Sequence, residues 1–244
     1  MEEISKRKFV NKIQVDWSFD DLMKDIGAPP PLPDINSHDQ VFFFTKDNQI
    51  IQGFLYLNKG KPVVIPEPEP SVLYYSKAER IIEDILHLRT EIFNSESIND
   101  FVVVDDSLFS EFFLLAFDFV VNLFAAIEAF NNSVIPENFT FNGKKGDIMN
   151  RDKIQRHVNF DIKVKKIMLQ IFHKSFVVDF IGKYESLDTL RKIRDNLIHT
   201  KNFSKNWAAS YRDIYRELLT LDFEKVLNCT KDYMNYYKSG WIEK

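Results

Sequence analysis

The sequence predicts an α+β protein, with a small antiparallel β region at the N-terminus followed by a predominantly α-helical bundle. Short runs of β-branched and aromatic residues, separated by turn residues, are confined to positions 1–75. Over residues 76–244 the apolar residues recur at helical spacing instead. Glycine is scarce, with 7 in 244 residues, which favours helices over a loop-rich sandwich. We therefore expect two domains, divided between residues 75 and 76.

The N-terminal part is predicted to form a sheet of three or four short strands. The clearest strands are rich in Phe, Val, Ile and Leu, and they cover residues 41–44, 50–57 and 63–65. Asp47-Asn48 and residues 58–61 lie between these runs and have the composition of turns. The proline-rich stretch 66–70 then ends the pattern, because proline cannot donate to a sheet.

The second part is predicted to contain four to six helices. The first runs from Ser76 to about Asn94, because Ser76 and Glu79 have the spacing of a capping box. The second begins after Asp105-Asp106-Ser107 and ends near Asn131. Its apolar residues cover almost every side, so it should be the central, most buried helix. Further helices are predicted to resume near residue 148, to cover about 162–172, to start at 186–188, and to span 222–237.

The composition predicts a cytoplasmic protein without a membrane contact. The first ten residues are polar and lack the apolar core of a secretory signal. The most apolar stretch, residues 101–130, contains six Asp, Glu or Asn residues, too many for a bilayer span. Cys229 is the only cysteine, which excludes an intramolecular disulfide and a multi-cysteine zinc site. No phosphate-binding loop is present and the five histidines lack metal-ligand spacing, so we expect no cofactor and no metal.

Charge is unevenly distributed along the chain. The net charge is −4, but residues 144–166 carry eight Lys or Arg against three Asp, so this segment has a net charge of +5. A basic segment in an acidic protein is a possible contact for a polyanion, and the alternative is a solvated loop and helix face. The candidate substrate-binding residues in it are Lys144, Lys145, Arg151, Arg156 and His157.

One short motif carries the prediction of function. Residues 190–200 read LRKIRDNLIHT, with four residues between Arg194 and His199 and with Asp195 directly after the arginine. This pattern resembles the R-x(4-6)-H motif of the HEPN superfamily of RNA-cleaving helical domains, in which Asn, Asp or His often follows the arginine. A second match to the spacing, residues 151–157, lies in the basic segment.

The resemblance covers about residues 105–240. Residues 125–130, with Glu128 on a long apolar helix, are similar to the packing helix of many HEPN members. The resemblance implies a helical bundle with metal-independent endoribonuclease activity, in which two motifs meet across a homodimer. It also implies a toxin or defence setting, with a possible antitoxin or defence-system partner. It does not include the N-terminal sheet.

The chemistry of the motif suits RNA cleavage. Attack by the 2′-OH needs proton transfer to and from oxygen and a cation on the phosphate. Histidine transfers protons near neutral pH, and arginine presents a planar fork of donors to phosphate oxygens. Asp195 and His199 are four residues apart and share a helix face, whereas Arg194 lies about 140° from His199. Our hypothesis is that Asp195 orients the imidazole of His199 while Arg194 binds the phosphate, with Asn196 supporting.

Structural alternatives remain for these residues. His199 would otherwise interact with the last carbonyls and the dipole of its helix. Glu128 either pairs with a basic residue near the site or, as we favour, is a buried glutamate that bridges two helices. The alternative function is a non-catalytic HEPN-like domain that binds nucleotide, RNA or a protein partner, and a third interpretation is a helical scaffold unrelated to nucleic acid. The C-terminal aromatic residues favour a core or dimer interface over base stacking.

Overall fold

The computed structural model describes residues 9–10, 12–14, 24, 41–44, 49–95, 97–98, 101–102, 104–143, 146–199 and 211–243. The chain divides into two compact units. The first comprises Met1–Leu73 with Glu243–Lys244, and the second comprises Tyr74–Ile242. The first unit contains an antiparallel sheet and the second is built of helices, so the predicted α+β class is confirmed.

The first unit contains a four-stranded antiparallel sheet in which one long strand pairs with the other three. The strands are β1 Lys12–Gln14, β2 Val41–Phe44, β3 Gln49–Asn58 and β4 Lys61–Pro66. The last three agree with the predicted strands. We did not predict β1, since a three-residue strand gives too short an alternation to detect in the sequence.

A two-residue turn joins β3 to β4. Lys59 and Gly60 both have positive φ, at 48° and 80°, the combination found in type I′ turns. Asn58 and Lys61 therefore form a hydrogen-bonded pair, and such pairs alternate with non-hydrogen-bonded pairs along the hairpin. The glycine is needed here because an L side chain at φ +80° is strained.

The outer side of β4 is poor in hydrogen-bond donors. Counting from the turn, Pro62, Val64 and Pro66 occupy non-hydrogen-bonded positions, where a backbone N–H would point away from β3. Because proline has no N–H and these positions donate away from β3, the two prolines remove no hydrogen bond between β3 and β4. Of these three outward positions, only Val64 presents a donor.

The helices with described bounds follow the sheet in sequence. They are α1 Pro70–Arg80, α2 Ile82–Phe93, α3 Asp106–Ser133, α4 Arg151–His157, α5 Phe160–Ile162, a π-helical segment Lys163–Ile167, α6 Met168–Phe172, α7 Phe176–Asp179, α8 Ile181–Ile198, α9 Arg212–Thr220 and α10 Phe223–Tyr237. Two short hairpins, Ser97–Ile98 with Phe101–Val102 and Phe141–Asn142 with Ile148–Met149, lie between helices.

The predicted start of the first helix was wrong. We expected Ser76 to be the N-cap, but α1 begins at Pro70 and Ser76 is buried within it. Proline suits the first helical position because the N–H it lacks would have no partner there. The side chain of Glu69 instead accepts hydrogen bonds from the backbone N and hydroxyl of Ser71, at 3.4 and 3.0 Å. The predicted single helix is also divided into α1 and α2 at Ile81.

Helix α3 is the centre of the second unit, as predicted. Asp105 is its N-cap and accepts a hydrogen bond from the backbone N of Ser107 at 2.8 Å. The helix contacts α2, α8, α9 and α10. It is not buried on every side, however, because Leu114 is 71% exposed. Its length and hydropathy meet the criteria for a membrane span, which the core helices of soluble proteins also meet.

The later helices agree with the predictions in part. Ile148 lies in a strand, and helix α4 starts only at Arg151, after the N-cap Asn150. Helix α8 starts at Ile181, five residues before the predicted Ser186, whose hydroxyl donates to the Gly182 carbonyl inside the helix. The final helix, predicted over 222–237, is confirmed as α10, and Asp222 is its N-cap. Helix α9 was not predicted.

A pair of Gly→Ala substitutions tests the conformation of the β3–β4 turn. No atom lies within 4 Å of a Cβ added at Gly60 or at Gly182, so the two positions differ in backbone conformation and not in space. We expect Gly60→Ala to destabilise the hairpin by about 1–2 kcal/mol, because φ is +80°. Gly182→Ala, in helix α8, should stabilise its helix by about 0.4–1 kcal/mol. Native-state hydrogen exchange measures the change in local stability of the hairpin and of helix α8. A change of the same sign in both elements would contradict the positive φ at Gly60.

Candidate functional site

Arg194, Asp195 and His199 lie at the C-terminal end of α8, as the sequence predicts. The buried residues of α8 form one stripe along the helix, namely Tyr184, Ser186, Leu187, Leu190, Ile193 and Leu197. Arg194 borders this stripe and is partly exposed, whereas His199 is exposed. The apolar stripe therefore determines which motif side chains face the neighbouring helices.

Three groups hold the guanidinium of Arg194. Nη1 donates to Oδ1 of Asp195 at 3.0 Å, and Nη2 lies 3.6 Å from Oε2 of Glu128 on α3. The guanidinium carbon also lies 4.8 Å from the centre of the Phe124 ring, a cation–π distance. Arg194 is thus fixed in orientation and its charge is balanced, but 28% of its side chain remains accessible to solvent.

A chain of alternating charges continues along α8 from Arg194. The second oxygen of Asp195 accepts a hydrogen bond from Arg191 at 3.0 Å, and Arg191 also binds Asp188 at 2.8 Å. Lys192 contacts the other oxygen of Asp188 at 2.8 Å. Burial alone would raise the pKa of the Asp188 carboxyl, but the hydrogen bonds from Lys192 and Arg191 outweigh it and hold this pKa below its ordinary value.

The side chain of His199 is free within the described part of the chain. His199 is the C-terminal cap residue of α8, and its backbone N–H donates to the carbonyl of Asp195 at 3.0 Å. No hydrogen bond or ion pair to its imidazole occurs among the described residues. Our hypothesis that the Asp195 carboxylate orients this imidazole therefore needs correction, because Arg191 and Arg194 occupy both carboxylate oxygens.

Glu128 links two helices, but it is not buried. The carboxylate is 42% exposed and reaches from α3 to Arg194 on α8, which corrects our expectation of a buried glutamate. The neighbouring basic group is Lys163, which is 5% exposed and donates to Oδ1 of Asn132 at 2.8 Å and to the carbonyl of Gln155 at 3.0 Å. Burial lowers the pKa of Lys163, and the attraction of Glu128 opposes this change.

The other predicted site residues are only partly described. Lys144 and Lys145 lie outside the described residues. Arg151, Arg156 and His157 are on α4, and Arg156 and His157 are exposed in its last turn. The Nε atom of Arg151 is buried and has no hydrogen-bond partner among the described residues. No recorded hydrogen bond or ion pair joins these three side chains to the motif on α8.

Asn196 faces a different neighbour from Arg194. Its side-chain amide donates to Oε2 of Glu217 on α9, at 3.4 Å. Sequence reasoning missed the partners that hold the motif, although Arg191 could have been found, since it stands three residues before Arg194 and four before Asp195. No spacing in the sequence links Phe124 or Lys163 to the motif. An aromatic residue or a lysine between apolar residues of a helical sequence does not by itself indicate a contact with an arginine on another helix.

An apolar groove lies beside the motif. It has a volume of about 410 Å³ and is lined by Phe109, Ser110, Phe113, Leu114 and Phe117 of α3, Leu197 of α8, and Tyr211, Ile214, Tyr215 and Leu218 at α9. Its aromatic rings pack edge to face or tilted, with 4.6 Å between the centres of Phe113 and Tyr215. The groove reaches α8 two residues before His199. We did not predict this groove, because we expected α3 to be the most buried helix.

Comparison of the chain with protein-family models, with curated proteins and with solved structures gave no match. Among the described residues, no three His, Cys, Asp or Glu side chains lie close enough together to hold a metal ion. Metal independence therefore stays a prediction, to be tested by the reaction itself.

A substitution of Asp188 measures how much the alternating charges along α8 contribute to the free energy of unfolding. We expect Asp188→Asn to lower the free energy of unfolding at pH 7 by about 1 kcal/mol, because two basic residues lose their ionised partner. The folded-state pKa of Asp188 is lowered, so its stabilising effect is present above the ordinary value of 3.8 and is lost as the pH falls through the folded pKa. The deficit of the variant should therefore persist from about pH 7 to 5 and shrink below about pH 4.

Urea titrations followed by far-UV circular dichroism at several pH values measure this deficit. Glu185→Gln is the matched control, because Glu185 is exposed on the same helix. This control should change the free energy of unfolding by less than about 0.5 kcal/mol. A deficit for Asp188→Asn that does not depend on pH would exclude an ionic contribution.

Proposed function

We propose that the protein is a metal-independent endoribonuclease that acts as a homodimer. One observation carries the proposal. The imidazole of His199 is exposed and has no side-chain partner among the described residues. It follows by five residues an arginine that two carboxylates and a phenyl ring hold in place. A free imidazole is available for proton transfer near neutral pH, and a fixed guanidinium is available to bind a phosphate.

The reaction would proceed by attack of the RNA 2′-OH on the adjacent phosphorus. The P–O5′ bond breaks, which leaves a 2′,3′-cyclic phosphate and a free 5′-OH. His199 would transfer a proton to or from one of these oxygens. Arg194 has five N–H donors, and those not directed at Asp195 and Glu128 would stabilise the charge that develops on the phosphate.

The reaction favours a second copy of the chain as the occupant of the apolar groove. Proton transfer occurs at two oxygens, whereas each motif supplies one histidine. A two-fold interface formed by the groove would bring a second motif close to the first, because the groove reaches α8 at Leu197, two residues before His199. Exposed aromatic and aliphatic side chains, Leu114 above all, are typical of such an interface.

A second candidate function is a non-catalytic helical domain that binds nucleotide, RNA or a protein partner. The observation that favours it is the charge chain along α8, which gives Arg194 and Asp195 structural roles without any substrate. A toxin or defence role, an antitoxin or other defence-system partner, and a cytoplasmic location belong to the proposal through the HEPN resemblance and the composition alone.

Cleavage of a mixed structured RNA in the presence of EDTA tests the proposed activity. We expect wild-type protein to give products that end in 2′,3′-cyclic phosphate. His199→Ala should lower the cleavage rate by at least about 100-fold, since a proton-transfer group is lost. His157→Ala removes the exposed histidine of the second motif match, a candidate substrate contact, and should leave the cleavage rate at saturating RNA unchanged. No cleavage by wild-type protein, with binding retained, would favour the non-catalytic candidate.

The dimer is tested by charge insertion into the groove. Leu114→Glu places a carboxylate at the most exposed leucine that lines the apolar groove, so we expect a monomer and a large loss of cleavage. Leu169→Glu changes an exposed leucine on α6, outside the groove, and should leave both properties unchanged. Light scattering coupled to size-exclusion chromatography gives the mass. A wild-type monomer that cleaves RNA would contradict this part of the proposal.

A further inference from the structure

One face of the N-terminal sheet carries three exposed aromatic side chains. Phe42 on β2 is 56% exposed, and Phe54 and Tyr56 on β3 are 43% and 55% exposed. Solvent-facing positions of an antiparallel sheet are usually polar. Three aromatic residues at such positions are therefore not explained by packing within the sheet, and contiguous exposed apolar surface is typical of interaction sites.

The strand register places these rings on the same face. Side chains at alternate positions of a strand share a face, so Gln52, Phe54 and Tyr56 project together. Phe42 pairs with Gln52 across β2 and β3 and projects to the same side. The opposite face is covered at Ile51, which precedes Gln52 and is 6% exposed, whereas Leu57 and Val64, nearer the turn, are exposed on it.

The turn end of this face is positively charged. Lys61 pairs with Asn58, whose position shares the face of Phe54 and Tyr56, so the lysine belongs to the aromatic face. Lys59, in the turn, is exposed beside it. Neither lysine has an ion-pair partner among the described residues, so both ammonium groups are available to a negatively charged ligand.

We propose that this aromatic face, defined by Phe42, Phe54, Tyr56 and Lys61, binds single-stranded RNA. Bases stack on the three rings, and Lys59 and Lys61 contact the backbone phosphates. Phe54 and Tyr56 are about 7 Å apart along the strand, which allows each ring to hold its own unstacked base. The choice of RNA rests on the proposed function, whereas the stacking surface rests on the sheet alone.

Charge and backbone both favour a polyanion over a second copy of the chain. If two copies of this face packed together, the lysines of one copy would lie against the apolar rings or against the lysines of the other. The first arrangement costs desolvation of the ammonium groups, and the second costs charge repulsion. The outer edge of β4 also has prolines where a pairing strand would need donors, so the sheet cannot readily extend through that edge. A flexible strand of bases and phosphates matches both the rings and the ammonium groups.

Fluorescence anisotropy with a labelled single-stranded 12-nucleotide RNA tests the inference. The full chain is used with His199→Ala as the background, so that binding is measured without cleavage. Phe54→Ala and Tyr56→Ala should each weaken binding about tenfold, whereas Tyr56→Trp should retain it because a larger ring still stacks. Lys61→Gln should reduce the slope of log affinity against log salt concentration by about 0.7.

Leu57→Ala is the matched control. Leu57 is exposed beside Tyr56 but projects from the opposite face, so its loss should leave RNA affinity unchanged. Equal affinities of Phe54→Ala and the background, or an equal loss in Leu57→Ala, would overturn the inference. A change in molecular mass on Phe54→Ala without a change in RNA affinity would also overturn it and would identify the face as a contact between copies.

Binding and cleavage separate the two proposals. If RNA binds the background protein and the loss follows the rings, the aromatic face is confirmed even when wild-type protein does not cleave. If wild-type protein cleaves RNA and affinity is independent of Phe54 and Tyr56, the proposed function stands and the aromatic face is rejected. Circular dichroism of each variant confirms that the fold is retained.

Discussion

The geometry of the motif depends on the burial of the apolar stripe of α8 against the helices around it. Burial of one Leu or Ile side chain contributes about 1.5–3 kcal/mol, and Leu187, Leu190, Ile193 and Leu197 are all buried. An ion pair at a partly exposed site contributes about 0–1 kcal/mol. Apolar packing therefore fixes the rotation of α8, and the ion pairs refine the position of Arg194 within that constraint.

A second set of contacts attaches α4 to the end of α3. Asn132 receives the Lys163 ammonium on its side chain and the Gln155 amide on its carbonyl, while Lys163 also donates to the carbonyl of Gln155. Lys163 opens a π-helical segment, a local widening that is frequent at functional sites. These partly buried contacts hold the helix that carries Arg151, Arg156 and His157, so the described basic residues lie on a fixed element.

The sequence predicted some helix starts closely and failed at others for a physical reason. Helices α3 and α10 start within two residues of the predicted positions, and Asp105 and Asp222 cap them. Ser186 lies inside α8 because its hydroxyl bonds to the carbonyl four residues before it, a use of serine that the sequence cannot distinguish from capping.

Spacing also predicted that Asp195 shares a helix face with His199, but Arg191 lies four residues before Asp195 and competes for the same carboxylate. The permanently charged, planar guanidinium takes the carboxylate in preference to imidazole.

The prolines of β4 have a consequence for the behaviour of the protein at high concentration. A sheet with an open aromatic face and an unprotected edge is a template for ordered aggregation, because strands of other chains add to the edge and their side chains pack on the face. Pro62 and Pro66 remove two of three donors from that edge. The chain can therefore keep apolar rings in solvent while the first step of fibril growth is hindered.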